Sequence, residues 1–115
     1  MGKAFPSVLY SIVDGEKLLK VSVRFFTTLR EITEKREETL EFPDGENLTV
    51  EKVLEKLAER YGKDFVEYVY DSKTVNVKGF LQFLINGRSA STLKGLKTEL
   101  ADGDVLAIIP PVGGG

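Results

Sequence analysis

One stretch of the chain carries an unambiguous helical period. Val50, Val53, Leu54, Leu57, Ala58 and Tyr61 recur at i, i+3, i+4, i+7, i+8 and i+11, which makes a single apolar stripe. Glu51, Lys52, Glu55, Lys56, Glu59 and Arg60 fill the opposite face. Thr49 stands where an N-cap is needed, and Leu48 and Val53 where a hydrophobic staple closes. Gly62 suits the C′ position. The pattern predicts a helix that buries one side and serves as scaffold.

Period-two alternation marks the strands. Leu19, Val21, Val23 and Phe25 alternate with Lys20, Ser22 and Arg24, and Leu40 and Phe42 alternate with Thr39 and Glu41 before Pro43-Asp44-Gly45 ends the run. Their compact connection predicts an antiparallel pair. Within that connection Thr27 to Thr33 has room for one helical turn with Leu29 and Ile32 inward, and Glu34 to Glu38 reads as a solvated charged loop. Beyond the main helix, Asp64 to Asp71 predicts a short helix burying Phe65, Tyr68 and Val69, and Ser72 to Gly79 a loop with some extended character. Leu81, Phe83 and Ile85 then alternate with Phe80, Gln82 and Leu84 in a third strand. Asn86-Gly87 is a tight-turn signal with a short return through Arg88 to Ala90. Leu93, Leu96 and Leu100 punctuate the path to the turn Asp102-Gly103-Asp104 and the final strand, Val105 to Ile109. At the other end, Val8 to Val13 has strand-like content before the turn signal Asp14-Gly15.

A helix on one face of a small mixed sheet is the economical packing of this order. It is the order of an α+β β-grasp domain. The reading divides the chain into an N-terminal arm or extra edge strand over 1–17, a β-grasp domain over 18–109, and a tail over 110–115. The third and last strands are apolar on both parities, and one helix covers only one face. Phe80 and Leu84, with Pro110, Pro111 and Val112 of the tail, are therefore expected to bind a partner, unless Lys63 to Gly79 folds over that face.

Composition narrows the chemistry. The 115 residues contain no histidine and no cysteine, which removes the usual general base, the usual metal ligand and any thiol nucleophile. An enzyme working alone is an unattractive reading, and neither metal nor cofactor is expected on this chain. A net charge of -2 gives no electrostatic footprint for nucleic acid or an anionic membrane. No apolar run reaches membrane-spanning length. Pro6 stands where a myristoylation signal wants a hydroxyl residue, and no signal-peptide core is apparent, so a cytoplasmic location is expected.

The tail is the one stretch that points to a reaction. Pro110 ends the strand, and Pro111 keeps it extended. Gly113, Gly114 and Gly115 lack side chains that would stop such a tail from threading a narrow channel. Read as the free end, Gly115 would present an unhindered carboxylate to another enzyme.

The ordered set of motifs resembles the MoaD/ThiS type of ubiquitin-like sulfur carrier, most of all the MoaD group of molybdopterin synthase small subunits. The matching pieces are Phe25-Phe26-Thr27-Thr28-Leu29-Arg30-Glu31, Glu38 to Phe42, the Thr49-to-Gly62 helix and Asn86-Gly87-Arg88. Leu93 to Leu100, Asp102-Gly103-Asp104 and Pro110 to Gly115 complete the set. Residues 1–17 and Lys63 to Gly79 exceed the compact pattern. The resemblance implies that Gly115 is adenylated by a partner of the MoaB, MoeB or ThiF type, which uses ATP and magnesium, and is then converted to a thiocarboxylate. It further implies that Gly113, Gly114 and Gly115 enter a MoaE-like large subunit and donate sulfur to a pterin precursor of the molybdenum or tungsten cofactor. Two alternatives stay open. One is a ubiquitin-like modifier joined through Gly115 to lysines of target proteins, and the other is a β-grasp binding module with an inert tail.

Overall fold

The computed structural model describes residues 18–44 and 47–111; the expected arm over 1–17 and the tail residues Val112 to Gly115 lie outside them. Ten short elements follow one another. They are β1 (Leu18–Arg24), α1 (Thr28–Thr33), β2 (Glu37–Pro43), α2 (Val50–Tyr61), α3 (Lys63–Val69), β3 (Gln82–Ile85), β4 (Arg88–Ser89), two 3-10 turns (Ala90–Thr92 and Gly95–Lys97) and β5 (Val105–Ile109). The sheet order is β2-β1-β5-β3-β4. β5 runs parallel to β1 and antiparallel to β3, and the other pairings are antiparallel. This mixed sheet with its crossing helix is a β-grasp.

The core forms where the two periodicities meet. Val50, Val53, Leu54 and Leu57 of α2 are fully buried, together with Val21 and Val23 of β1 and Leu106 and Ile108 of β5. The helix starts as its sequence requires. The Thr49 side chain accepts from the Lys52 N–H at 3.3 Å, and buried Leu48 packs into the same core as Val53. At the other end Gly62 adopts φ 75° and ψ -143°, a conformation open to glycine alone, and its N–H donates to the Ala58 carbonyl at 2.9 Å. The same glycine opens α3, which buries Phe65 and Val69 against α2 and α1. The Lys63–Gly79 stretch therefore packs on the helical side and does not cross the outer face of the sheet.

One expectation is corrected. Glu34 to Glu38 is not a solvated loop throughout, because Glu37 and Glu38 belong to β2. Glu38 shares the inward parity of Leu40, and its side chain is 5% exposed. Burial of a carboxylate demands partners. The Arg60 guanidinium and the Tyr61 hydroxyl both donate to it from the end of α2, and Lys35 approaches within 3.6 Å. A local pattern of charges could not reveal this, since Arg60 is 22 residues away.

Leu57→Ala is expected to cost about 2–5 kcal/mol, because it empties a fully buried position. Glu55→Ala, on the exposed face, is expected to cost less than about 0.5 kcal/mol. Denaturant midpoints of the two variants check the orientation of the helix.

A second expectation concerns alkaline pH. Burial raises the Tyr61 phenol above its ordinary 10.0, partly offset by Arg60; burial also raises Tyr70, reinforced by Glu55 and Glu51. The folded chain thus holds both protons more tightly than the unfolded chain. Their contribution is complete below about pH 10 and is lost as pH rises toward the folded values. Unfolding free energy should fall on that limb, and Tyr61→Phe with Tyr70→Phe should make the fall shallower in pH-dependent denaturant titrations.

Candidate functional site

The site is built around the exit of β5, and the entry of that strand is what fixes the exit. Asp102-Gly103-Asp104 docks between β1 and the β3–β4 hairpin. The Asp102 carboxylate accepts from the Lys20 N–H at 2.7 Å, and the Gly103 N–H donates to the Lys20 carbonyl at 2.7 Å. Gly103 sits at φ 89°, which the tight turn requires. On the other side the Asn86 side chain joins both halves: its amide donates to Asp104 Oδ1 at 2.9 Å and its carbonyl accepts from the Val105 N–H at 2.9 Å. Asn86 at φ 53° and Gly87 at φ 86° form the expected left-handed turn. With its start pinned, β5 pairs Ala107 with both Arg24 and Leu84, and Ile109 with Gln82.

The outer face of the sheet has two unlike halves. Over β1 and β2 it is polar: Lys20 lies opposite Glu41, the Ser22 and Thr39 hydroxyls are 3.3 Å apart, and Arg24 Nε is 3.6 Å from Glu37. Over β5 and β3 it is mainly apolar, with Val105, Ala107, Ile109 and Leu84 half-buried and exposed Gln82 opposite Ile109. Leu84 faces Ala107 across the ladder, so the expected partner-binding Leu84 stands in this patch. Phe80 is 48% exposed two residues before Gln82, at the end of β3 beside Ile109 and the tail. Lys78 Nζ lies 5.8 Å from its ring centroid. Pro110 is half-buried and Pro111 exposed. The structure thus places Phe80, Pro110 and Pro111 toward the end of the sheet where β5 leaves, and Leu84 further along β3 opposite Ala107, whereas Val112, Gly113, Gly114 and Gly115 lie outside the described residues.

Sequence reasoning missed a basic rim at the same end. Arg24, Arg30 and Arg36 line a cleft of about 230 Å³ with Phe25, Phe26 and Glu37. The Arg30 guanidinium sits 5.8 Å from the centre of the half-buried Phe26 ring, and its Nε approaches the Phe25 carbonyl at 3.4 Å. β1 is parallel to β5, so residues following Arg24 leave the sheet at the end from which Pro110 leaves. The three arginines come from a strand, a helix and a loop, and share no period that the sequence could display. Among the described residues, no group of three or more acidic side chains is placed to hold a metal ion. No helix among them is long and apolar enough to cross a membrane.

The geometry is that of a compact sheet that directs its last strand outward between an apolar patch and a basic rim. Comparison with known proteins agrees with it. A model of the ThiS family matches residues 23–115, and the chain belongs to that family. It is 32% identical over 97 residues to small archaeal modifier protein 3 of Haloferax volcanii, covering 84% of this chain and all of that protein. The solution structure of small archaeal modifier protein 1 from Methanosarcina acetivorans matches with a TM-score of 0.69 and 33% identity over 86% of this chain and 99% of the other. A Pyrococcus furiosus protein assigned as molybdopterin converting factor, subunit 1, matches with a TM-score of 0.61 and 30% identity over 82% and 99% of the respective chains. The protein is a member of a ubiquitin-like family of sulfur carriers and modifiers.

Asp104→Ala is expected to cost about 1–3 kcal/mol, because the carboxylate accepts from the Ala101 N–H at 2.7 Å as well as from Asn86. Loss of amide-exchange protection should be larger at Val105 to Ile109 than in α2, which hydrogen exchange followed by NMR would measure.

Proposed function

We propose that Gly115 is the reacting residue and that the chain is a sulfur carrier for molybdopterin synthesis, not catalytic alone. The observation that carries this is the reach of the family match, which runs to residue 115, beyond the last strand. A carboxylate is a poor electrophile. In the proposed sequence the Gly115 carboxylate attacks the α-phosphate of ATP on an adenylating partner, and pyrophosphate leaves. Hydrosulfide then attacks the acyl carbon and displaces AMP, which leaves a thiocarboxylate for transfer to a pterin precursor in a large partner subunit. ATP, magnesium, catalytic groups and the sulfur source belong to the partners. The resemblance to the P. furiosus protein supports the pterin as acceptor. The apolar patch around Leu84 and Ala107 supplies the docking area, and the arginine rim suits a partner surface with acidic groups.

A second reading is favoured by the two archaeal modifier matches: conjugation of Gly115 to lysines of other proteins. Activation would be shared, and only the acceptor would differ.

Intact mass spectrometry with the adenylating enzyme, ATP and a sulfur donor tests the first reading. The chain is expected to gain the mass difference of sulfur replacing oxygen, and Gly114→Val to suppress the gain, because a β-branched side chain stiffens and widens the tail. Deleting Gly114 and Gly115 should abolish the reaction with thermal stability nearly unchanged. Conjugates without thiocarboxylate would decide for the modifier; since Lys97 is the last tryptic site, their remnant on an acceptor lysine would begin at Thr98. Leu84→Asp should weaken association with the partner at least ten-fold in calorimetry while the fold persists, because it places a charge in an apolar contact.

A further inference from the structure

The helical side of the molecule carries a groove that the carrier chemistry leaves unused. It measures about 850 Å³ and lies between the outward face of α2 and α3, closed by the loop over 70–77. Its floor is apolar, formed by Ala58, Val66, Tyr70, Val75 and Val77. Two of these side chains are open to solvent, Val66 at 39% and Val75 at 75%. Val75 is held outward by a closed turn. Its N–H donates to the Asp71 carbonyl at 2.7 Å, while the Asp71 N–H donates to the Asn76 carbonyl at 2.8 Å.

The rim is acidic. Glu51, Glu55, Glu59 and Glu67 line it on two helices. Lys97 pairs with Glu51 at 2.8 Å, but among the described residues no cation pairs with the carboxylates of Glu55, Glu59 or Glu67. Asp71, also on the lining, uses its carboxylate within its own loop, where it accepts from the N–H groups of Lys73 and Thr74. The raised phenol of Tyr70 registers the same field, since Glu55 and Glu51 add to the effect of burial there. The acids are not gathered tightly enough to form a metal-holding group. A negative rim over an exposed apolar floor is complementary to a ligand that is both cationic and apolar.

We propose that this groove docks a basic segment of a partner protein, with one apolar side chain seated against Val66 and Val75 and flanking lysine or arginine side chains paired with Glu55, Glu59 and Glu67. The lining contains no residue of β1, β3 or β5, so the site is separate from the apolar patch beside the tail. A partner held here would leave Leu84 and Ala107 uncovered. The proposal therefore stands or falls independently of the thiocarboxylate chemistry.

The test is an NMR titration of the full isotope-labelled chain with a synthetic amphipathic lysine–leucine peptide, with a glutamate–leucine peptide as control. Shift changes are expected at Val66, Tyr70, Val75 and Val77, and the affinity should fall as salt rises. The triple variant Glu55→Lys, Glu59→Lys, Glu67→Lys should weaken binding at least about ten-fold. Val75→Asn removes the apolar anchor at a residue with φ 64°, a conformation that asparagine tolerates. It should weaken binding about three-fold or more without lowering the thermal midpoint. Equal affinity for the control peptide, shifts centred on Leu84 and Ala107, or variants that bind as the parent does would overturn the proposal. So would a self-association that the triple variant abolishes, which would assign the groove to a second copy, or nuclear Overhauser contacts from residues 1–17 to Val66 and Val75, which would assign it to the chain's own N-terminal segment.

Discussion

The last strand can enter the sheet at only one height, and the turn Asp102-Gly103-Asp104 sets it. Lys20 holds this turn from one side and Asn86 from the other, through hydrogen bonds of 2.7 to 2.9 Å. β5 then fills the slot between two strands that have no hydrogen bonds to each other. A slip of one residue would turn Leu106 and Ile108 out of the core and Val105, Ala107 and Ile109 into it. The register that buries the right side chains also decides where Pro110 leaves the sheet. The core and the point at which Pro110 leaves the sheet are consequences of the same constraint.

That constraint makes the molecule asymmetric. With α2 and α3 both on one side, the β5–β3 half of the outer face keeps an apolar surface, while β1 and β2 pair polar side chains across their ladder. An apolar patch beside the strand that leads into Pro110 is the docking area that the proposed function requires. In the proposed function the arginine rim would add direction, since charge complementarity guides encounter more than it adds affinity. Family membership, the apolar patch and the exit of β5 are the three observations on which the proposed carrier role rests.

The charged residues divide by the same geometry. Glu38 lies under the end of α2, where Arg60 and Tyr61 satisfy it, and it ties the outermost strand β2 to the helix. Removing one partner of such a group costs more than forming the pair gains, because a buried charge would be left unmatched. Glu55, Glu59 and Glu67 stay at the surface, above the groove that the 63–79 stretch builds. Carboxylates of one local appearance in the sequence therefore hold the fold together in one place and face solvent in another.

The elements themselves were legible in the sequence wherever the signal is local. The stripe from Val50 to Tyr61, the cap at Thr49, the stop at Gly62 and the turn at Asn86-Gly87 depend on neighbours within a few residues, and each appears as its chemistry requires. The two-sided apolar pattern of the third and last strands likewise announced a face that one helix cannot cover. Tertiary structure alone decided the rest. The Glu34–Glu38 cluster could not disclose that its last member is buried, because the partners that permit burial stand on another element. Arg24, Arg30 and Arg36 meet only once β1, α1 and the loop before β2 have folded together. The groove over Val66 and Val75 exists only because α3 turned back onto α2 at Gly62. Hydrophobic periodicity and turn chemistry are properties of contiguous residues, so the sequence displays them. The partner of a charge, and which side of an exposed helix becomes the wall of a groove, are set by pairings distant in the chain.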